Sequence, residues 1–264
     1  MENHCTLFCI NMNYRITSTS NERIKHLKSL KTKKGRNESG TYLIEGKRAI
    51  LDAISHNVKF KCIVLEENSG FDVNADCDVI LVSRHIIEAL ADTLSPEGII
   101  AEAVIPDLAF DIDKVQGLVV FLDRLQDAGN VGTIIRTADA LGAGTVVLTK
   151  GCCEIFNPKT VRATMSSIFN IPIMIADDSL HDLEKIKSAG YTVYSAALNG
   201  EDFNQIQEID KNKSCIVIGN EGNGICDEIL SNSQKIVTLK MRGGAESLNA
   251  GVAAGILIYS FMNR

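Results

Sequence analysis

Tryptophan is absent from this chain of 264 residues, and so is any long hydrophobic run. No stretch approaches the roughly eighteen uninterrupted apolar residues of a membrane span, so none is expected. The opening MENHCTLFCINMN has neither a basic n-region nor a small-residue cleavage site, so no secretory signal is expected. Residues 1–13 read as a loose extension, with the functional start at Met12 or nearby. Without export, the eight cysteines are expected as reduced cytoplasmic thiols, with Cys62, Cys77 and Cys215 buried as small hydrophobes. CxxC pairs, HExxH and tight His/Cys clusters are missing, and the neighbours Cys152 and Cys153 cannot easily share one tetrahedral ion. No metal is therefore expected. Repeats and low-complexity segments are missing too. With 45% hydrophobic and 23% charged residues, extensive disorder is excluded, and the length allows one large domain or two modest ones.

What the chain does have in excess is positive charge near one end. The net charge is −6, yet residues 14–62 hold twelve Lys and Arg against four Asp and Glu, a local +8. That leaves −13 for residues 63–264. A basic end on an acidic body suits a polyanion, because Lys and Arg release counterions from phosphates. The plain alternative is a solvated helix face. Over 21–34, Ile24, Leu27 and Leu30 form one stripe with Lys25, Lys28 and Lys31 beside it, which predicts an amphipathic helix closed by Gly35.

Residues 42–104 alternate as strand 42–45, helix 47–55, strands 61–66 and 79–83, helix 84–92 and strand 99–104, a small α/β unit. The Pro- and Asp-bearing stretch 105–117 is the linker candidate. Beyond it, apolar strands at 118–122, 145–148, 171–175, 192–197, 215–219 and 236–241 alternate with helical patterns near 131–141, 158–168, 179–189, 225–231 and 247–262. That pattern predicts a mostly parallel sheet covered on both faces, with its ligand at the carboxyl ends of the strands.

Three of those strand ends carry glycine-rich turns. After 118–122 comes Asp-Arg-Leu-Gln-Asp-Ala-Gly-Asn-Val-Gly. There Gly129 and Gly132 permit a tight turn, and Asn130 is expected to cap a helix burying Val131, Ile134, Ile135, Ala138 and Leu141. Arg136 lies off that apolar face, where an arginine is ordinarily just solvated. After 215–218 comes Gly219-Asn220-Glu221-Gly222-Asn223-Gly224. It lacks the P-loop Lys-Ser/Thr and the GxGxxG order, so it reads as a turn approaching a ligand closely and not as a phosphate cradle. After 236–241 comes Arg242-Gly243-Gly244-Ala245-Glu246-Ser247-Leu248-Asn249, then a helix rich in Ala250, Gly251, Ala253, Ala254 and Gly255.

These residues resemble the SpoU-type RNA 2′-O-ribose methyltransferases of the SPOUT superfamily. Asn130, Gly132 and Arg136 match the first motif, Gly219, Glu221, Gly222 and Gly224 the second, and 239–243 with Ser247, Leu248 and Asn249 the third. Lys240 stands in place of the usual Pro, Glu246 in place of a Ser, and Ala128 where Pro is frequent; the first two flank the expected cofactor loop. The resemblance spans 118–264, and 14–104 resembles the ribosomal-protein-like RNA-binding domain that precedes it in many members.

The resemblance implies a carboxyl-terminal α/β domain with a parallel sheet and a deep trefoil knot, which generic topology rules would not anticipate. It implies S-adenosylmethionine as cofactor, held largely by backbone at Gly219, Leu239 and Leu248, with Gly222, Gly224, Met241 and Gly243 beside them. It implies a homodimer through the catalytic domain, with Arg136 able to reach the site across it. Arg136 becomes the candidate cation for a forming 2′-alkoxide, with Asn130, Ser247 and Asn249 positioning ribose or phosphate and Glu221 organising its loop. The proton acceptor stays open, since arginine is a poor general base. Candidate RNA contacts are Arg23, Lys25, Lys28, Lys31, Lys33, Lys34, Lys47 and Arg48. The expected substrate is structured ribosomal RNA; transfer RNA and a non-catalytic RNA-binding role are the alternatives, while a dinucleotide-binding Rossmann enzyme lacks its early glycine fingerprint.

Overall fold

A computed structural model describes residues 13–71, 76–206 and 209–263. The chain divides into two compact units, 1–106 with 156–158, and 107–155 with 159–264. Of the segment expected as a loose extension, 1–12 lie outside the described residues, and Asn13 opens a strand.

The first unit is a mixed five-stranded sheet in the order β1-β4-β3-β5-β2, built from β1 (Asn13–Ile16), β2 (Thr41–Glu45), β3 (Phe60–Glu66), β4 (Asp78–Val82) and β5 (Ile99–Val104). β1 was not anticipated. It is a four-residue strand whose partner among the described residues, β4, lies more than sixty residues away and pairs with it in parallel. Helices α1 (Glu22–Ser29) and α4 (Arg84–Leu90) bury Ile24, Leu27, Ile86, Ile87 and Leu90 in the same core as Val64, Ile80 and Ile100 of the sheet. Helix α3 (Lys47–Ser55) buries Ile50 and Ala53.

The expected helix over 21–34 is two helices. α1 is capped by Asn21, and Thr32 caps a second, α2 (Lys33–Ser39), by accepting the N–H of Gly35. Gly35 therefore closes nothing. A Cβ there would lie 2.1 Å from the Ser29 carbonyl oxygen, so it is the point where α2 presses on the end of α1. Gly40, at φ 66°, supplies the left-handed stop.

The second unit is a six-stranded sheet in the order β11-β9-β10-β6-β7-β8. Its strands are β6 (Val119–Asp123), β7 (Thr145–Thr149), β8 (Ile173–Ala176), β9 (Thr192–Asp202), β10 (Ser214–Gly219) and β11 (Lys235–Thr238). Every pairing among the described residues is parallel. Val119, Phe121, Cys215 and Val217 turn into a core shared with α7 (Ser179–Ser188) and α8 (Asp227–Asn232). α5 (Ala128–Ala140) and α9 (Ala250–Met262) pack along one another. Near the end of α9, Phe261 meets Tyr194 and Phe203, with ring centroids 5.0 Å apart in each pair.

The expected helix over 158–168 is α6 (Pro158–Ala163) followed by a 3-10 turn, Ser167–Phe169. The stretch 107–117 runs beside β8: the Ile175 N–H donates to the Leu108 carbonyl, and the Phe110 N–H to the Ile175 carbonyl. Strand order reverses between β10 and β6, which places a crevice at their carboxyl ends. Cys62, Cys77 and Cys215 are buried as expected.

Candidate active site

Three turns leave the carboxyl ends of β6, β10 and β11. At the first, β6 ends on the buried Asp123, and α5 starts five residues later. The cap of α5 is Asp127 and not Asn130: Asp127 Oδ1 accepts the Asn130 N–H at 2.8 Å. That hydrogen bond, with the Lys159 ammonium at 3.4 Å, holds the Asp127 carboxyl below its ordinary pKa. Relieved of capping, the Asn130 side chain faces the other two turns. Gly132 is where α6 touches α5, since a Cβ there would lie 2.4 Å from the Ala163 Cβ.

At the second turn, 219–224, the chain folds back on itself. Asn220 and Gly224 exchange main-chain hydrogen bonds of 3.0 and 2.9 Å. Asn220 Oδ1 accepts the N–H groups of Gly222 and Asn223 at 3.0 Å each. Only glycine fits at 219, because a Cβ would lie 2.4 Å from the Gly224 carbonyl carbon. The turn presents Glu221 to the first: its carboxylate accepts the Gln126 and Asp127 N–H groups at 3.4 and 3.3 Å and Asn130 Nδ2 at 3.0 Å. Desolvation pushes the Glu221 carboxyl up, but the Asn130 and backbone donors outweigh it, and its pKa sits below the ordinary value.

The third turn follows β11, which ends at Thr238, three residues short of the expected strand. Asn249 caps α9 by accepting the N–H groups of Gly251 and Val252 at 2.9 and 3.2 Å. Its Nδ2 donates to Asn130 Oδ1 at 3.0 Å. Asn249, Asn130 and Glu221 thus form one hydrogen-bonded chain across all three turns. Between Thr238 and Asn249, Leu239 and Met241 are half-buried and Gly243, Ser247 and Leu248 are exposed. Outside the strand ladders, and among the described residues, the main chain of 239–248 makes no backbone hydrogen bond. A Cβ at Gly243 or Gly244 would meet nothing within 4 Å. Free main-chain donors and acceptors beside Leu239, Met241 and Leu248 fit a flat, polar-edged ring such as adenine.

Arg136 is exposed on α5 and, among the described residues, has no ion-pair or hydrogen-bond partner. Six residues past Asn130, it lies about a third of a turn round the helix and about 9 Å along it. One chain does not bring it into the Asn249–Asn130–Glu221 chain. Also unanticipated is Leu198. The β9–β11 register jumps between Ile236 and Val237, so 196–200 bulge out and leave Leu198 72% exposed at the carboxyl end of the sheet. The Asn199-Gly200 dipeptide was the available signal.

In the first unit the basic residues are unevenly free. Lys28 is half-buried and Lys33 exposed, Lys25 pairs with Glu22, Lys34 with Glu38 and Arg48 with Asp52 at the surface. Lys47 lies over the Phe71 ring at 4.8 Å. Lys31 donates to the Ala91 carbonyl at 2.5 Å, and Arg23 reaches the buried Glu102 at 3.0 Å. Arg36, counted in the +8, is only 2% exposed and donates to the Leu30 carbonyl. No helix among the described residues is long and apolar enough to cross a membrane.

Two family models match the chain, the SpoU rRNA methylase family over 117–259 and an MRM3-like substrate binding domain over 21–101. The chain is 34% identical over 249 residues to the 23S rRNA (guanosine(2553)-2′-O)-methyltransferase RlmP of Bacillus subtilis strain 168, covering 93% of this chain and 98% of the relative. It is 28% identical to the mitochondrial rRNA methyltransferase 3A of Danio rerio, over 85% of this chain and 64% of that one. The AdoMet-bound rRNA methyltransferase from Sinorhizobium meliloti superposes with a TM-score of 0.87 at 28% identity, covering 95% of this chain and 98% of the other.

Proposed function

The chain belongs to the SpoU rRNA methylase family and is an S-adenosylmethionine-dependent RNA 2′-O-methyltransferase, and we propose how its residues divide that work on structured ribosomal RNA. The observation that carries the reading is the hydrogen-bonded chain from Asn249 through Asn130 to Glu221, which ties three strand-end turns into one site.

S-adenosylmethionine supplies a methyl group already activated for displacement by its sulfonium. Gly219, Gly222, Gly224, Leu239, Met241, Gly243 and Leu248 would hold it, chiefly by main chain, and the bulged Leu198 would close its apolar side. The chain's own task is the nucleophile. A ribose 2′-OH is a weak acid, and negative charge builds on its oxygen as the bond forms. Asn130, Ser247 and Asn249 orient the ribose or its phosphate, so that the oxygen is aligned before attack. Glu221 fixes the Asn130 amide. The Arg136 guanidinium stabilises the developing alkoxide, for which a preorganised cation in a sheltered site is well suited.

Arg136 reaches that oxygen from a second copy of the chain. Supporting this, Val252, Ile256 and Tyr259 line one face of α9 at 51%, 42% and 58% exposure, an apolar stripe at helical spacing that a two-fold interface would bury. The return of α9 to α5 after the turn at 239–249 supports the trefoil knot. The basic stretch 14–62 of the first unit would carry the RNA in the cytoplasm, through Arg23, Lys25, Lys28, Lys31, Lys33, Lys34, Lys47 and Arg48.

Radiolabelled S-adenosylmethionine tests the substrate: label should appear as a 2′-O-methylnucleoside in ribosomal RNA, and label confined to transfer RNA would overturn that assignment. Mixing Arg136→Ala with Asn249→Ala chains, each inactive alone, tests the dimer. Activity should return in the mixture; none returning, with heterodimers present, would place Arg136 in its own subunit's site.

A further inference from the structure

Asp123 is 1% exposed at the end of β6, where a carboxylate without partners would be costly. It has two. Arg124 grips it with Nε and a terminal nitrogen, each at 3.0 Å, and the Cys226 N–H donates to Oδ2 at 2.9 Å. Cys226 is the residue on which α8 begins, just past the 219–224 turn.

Arg124 itself sits at φ 55°, a left-handed conformation rare for a residue with a long side chain. Such a conformation persists only where the surroundings over-determine it. Here they do. The Arg124 N–H donates to the buried Thr149 Oγ1 at 3.0 Å, and its carbonyl accepts Asn220 Nδ2 at 2.8 Å. Its stem lies over Gly151, whose added Cβ would fall 3.1 Å from Arg124 Cγ. The reversed backbone is what aims the carbonyl at Asn220, and the ion pair holds the reversal in place. Asn220 is also the residue whose Oδ1 shapes the turn carrying Glu221.

We propose that Asp123 and Arg124 are positioning residues for methyl transfer: with Asn220 they latch the 219–224 turn at both ends and so fix Gly219 and Glu221 for cofactor binding. This rests on the reading of that turn as a cofactor loop. Neither residue touches the reacting atoms. The latch acts through the Asn220 amide at the front of the turn and the Cys226 N–H behind it.

Three variants separate its parts. Arg124→Gly keeps the left-handed backbone and removes the guanidinium. Arg124→Lys keeps the charge without the two-pronged grip. Asn220→Asp keeps the oxygen that caps Gly222 and Asn223 but sets an oxygen against the Arg124 carbonyl. Calorimetric titration with S-adenosylmethionine should show affinity about tenfold weaker in Arg124→Gly and Asn220→Asp, the size of one lost hydrogen bond. Arg124→Lys should be intermediate. KM for the cofactor should rise in step while kcat falls less, RNA affinity should hold, and hydrogen exchange at the Gly222, Asn223 and Cys226 amides should quicken. Unchanged cofactor affinity in both Arg124→Gly and Asn220→Asp would overturn the latch. So would losses that Arg124→Lys fails to restore at all, or exchange that quickens equally throughout the sheet. Wild-type protein that binds no S-adenosylmethionine would instead overturn the reading of the turn.

Discussion

Arg136 separates a catalytic from an incidental arginine. It is exposed and unpartnered among the described residues, so Arg136→Ala should change stability by about 0.5 kcal/mol or less. If its guanidinium meets the forming alkoxide, turnover should fall by about a hundredfold or more with cofactor affinity nearly intact. Single-turnover methylation beside cofactor titration checks both, and full activity would refute the role. Glu221 gives a pH prediction of definite sign. Its carboxyl is held below the ordinary value of about 4.3, so its contribution to the turn is complete above that pH. The contribution fades as pH falls through the lower, folded value. Exchange protection of the Gln126 and Asp127 amides should therefore be full above the ordinary carboxylate range and decline as pH falls below it. The residue types of this cluster were legible from three Gly-bearing turns. That Asp127 caps α5 was not, because Asp and Asn are equally good caps and only the fold shows that Asn130 is needed elsewhere.

The helices show how packing overrides propensity. Gly132→Ala would gain about 1 kcal/mol of helix propensity in α5 were nothing nearby. Its Cβ would lie 2.4 Å from the Ala163 Cβ and 3.0 Å from the Ala163 carbonyl carbon, which is main chain and cannot swing aside. Overpacking of that kind costs about 1–3 kcal/mol, so the variant should be less stable in chemical denaturation. Gly35 teaches the same lesson: read as a helix stop, it is a contact between helices. Periodicity over 21–34 located the buried stripe of Ile24, Leu27 and Leu30 correctly. It could not show the break at Thr32, because the stripe ends at Leu30, before the break, and α2 carries no apolar side chain to mark it.

At the level of the molecule, the basic stretch 14–62 within an otherwise acidic chain implies binding dominated by phosphate contacts. RNA affinity should fall steeply with salt, by a slope of about 0.7–0.9 per phosphate neutralised. Charge reversal at Lys25, Lys28 and Lys33 should flatten that slope, as filter binding across a salt series would show. An unchanged slope would move the contact surface elsewhere. Lys31, held against the Ala91 carbonyl, and Arg36, buried on Leu30, should matter less for RNA than their charge suggests.

The chain's own residue pattern determines a good deal: two α/β units, a parallel sheet in the second, glycine turns at three strand ends, and the concentration of positive charge in 14–62. These follow from periodicity, turn chemistry and composition, all local properties. Which turns meet is not local. Asn249 lies 119 residues from Asn130, and Glu221 lies 91 from it, and their hydrogen bonds depend on strand order and on α9 returning to α5. The latch at Asp123 and the bulge at Leu198 are of the same kind. Each depends on a partner strand's register, which no window of neighbouring residues contains.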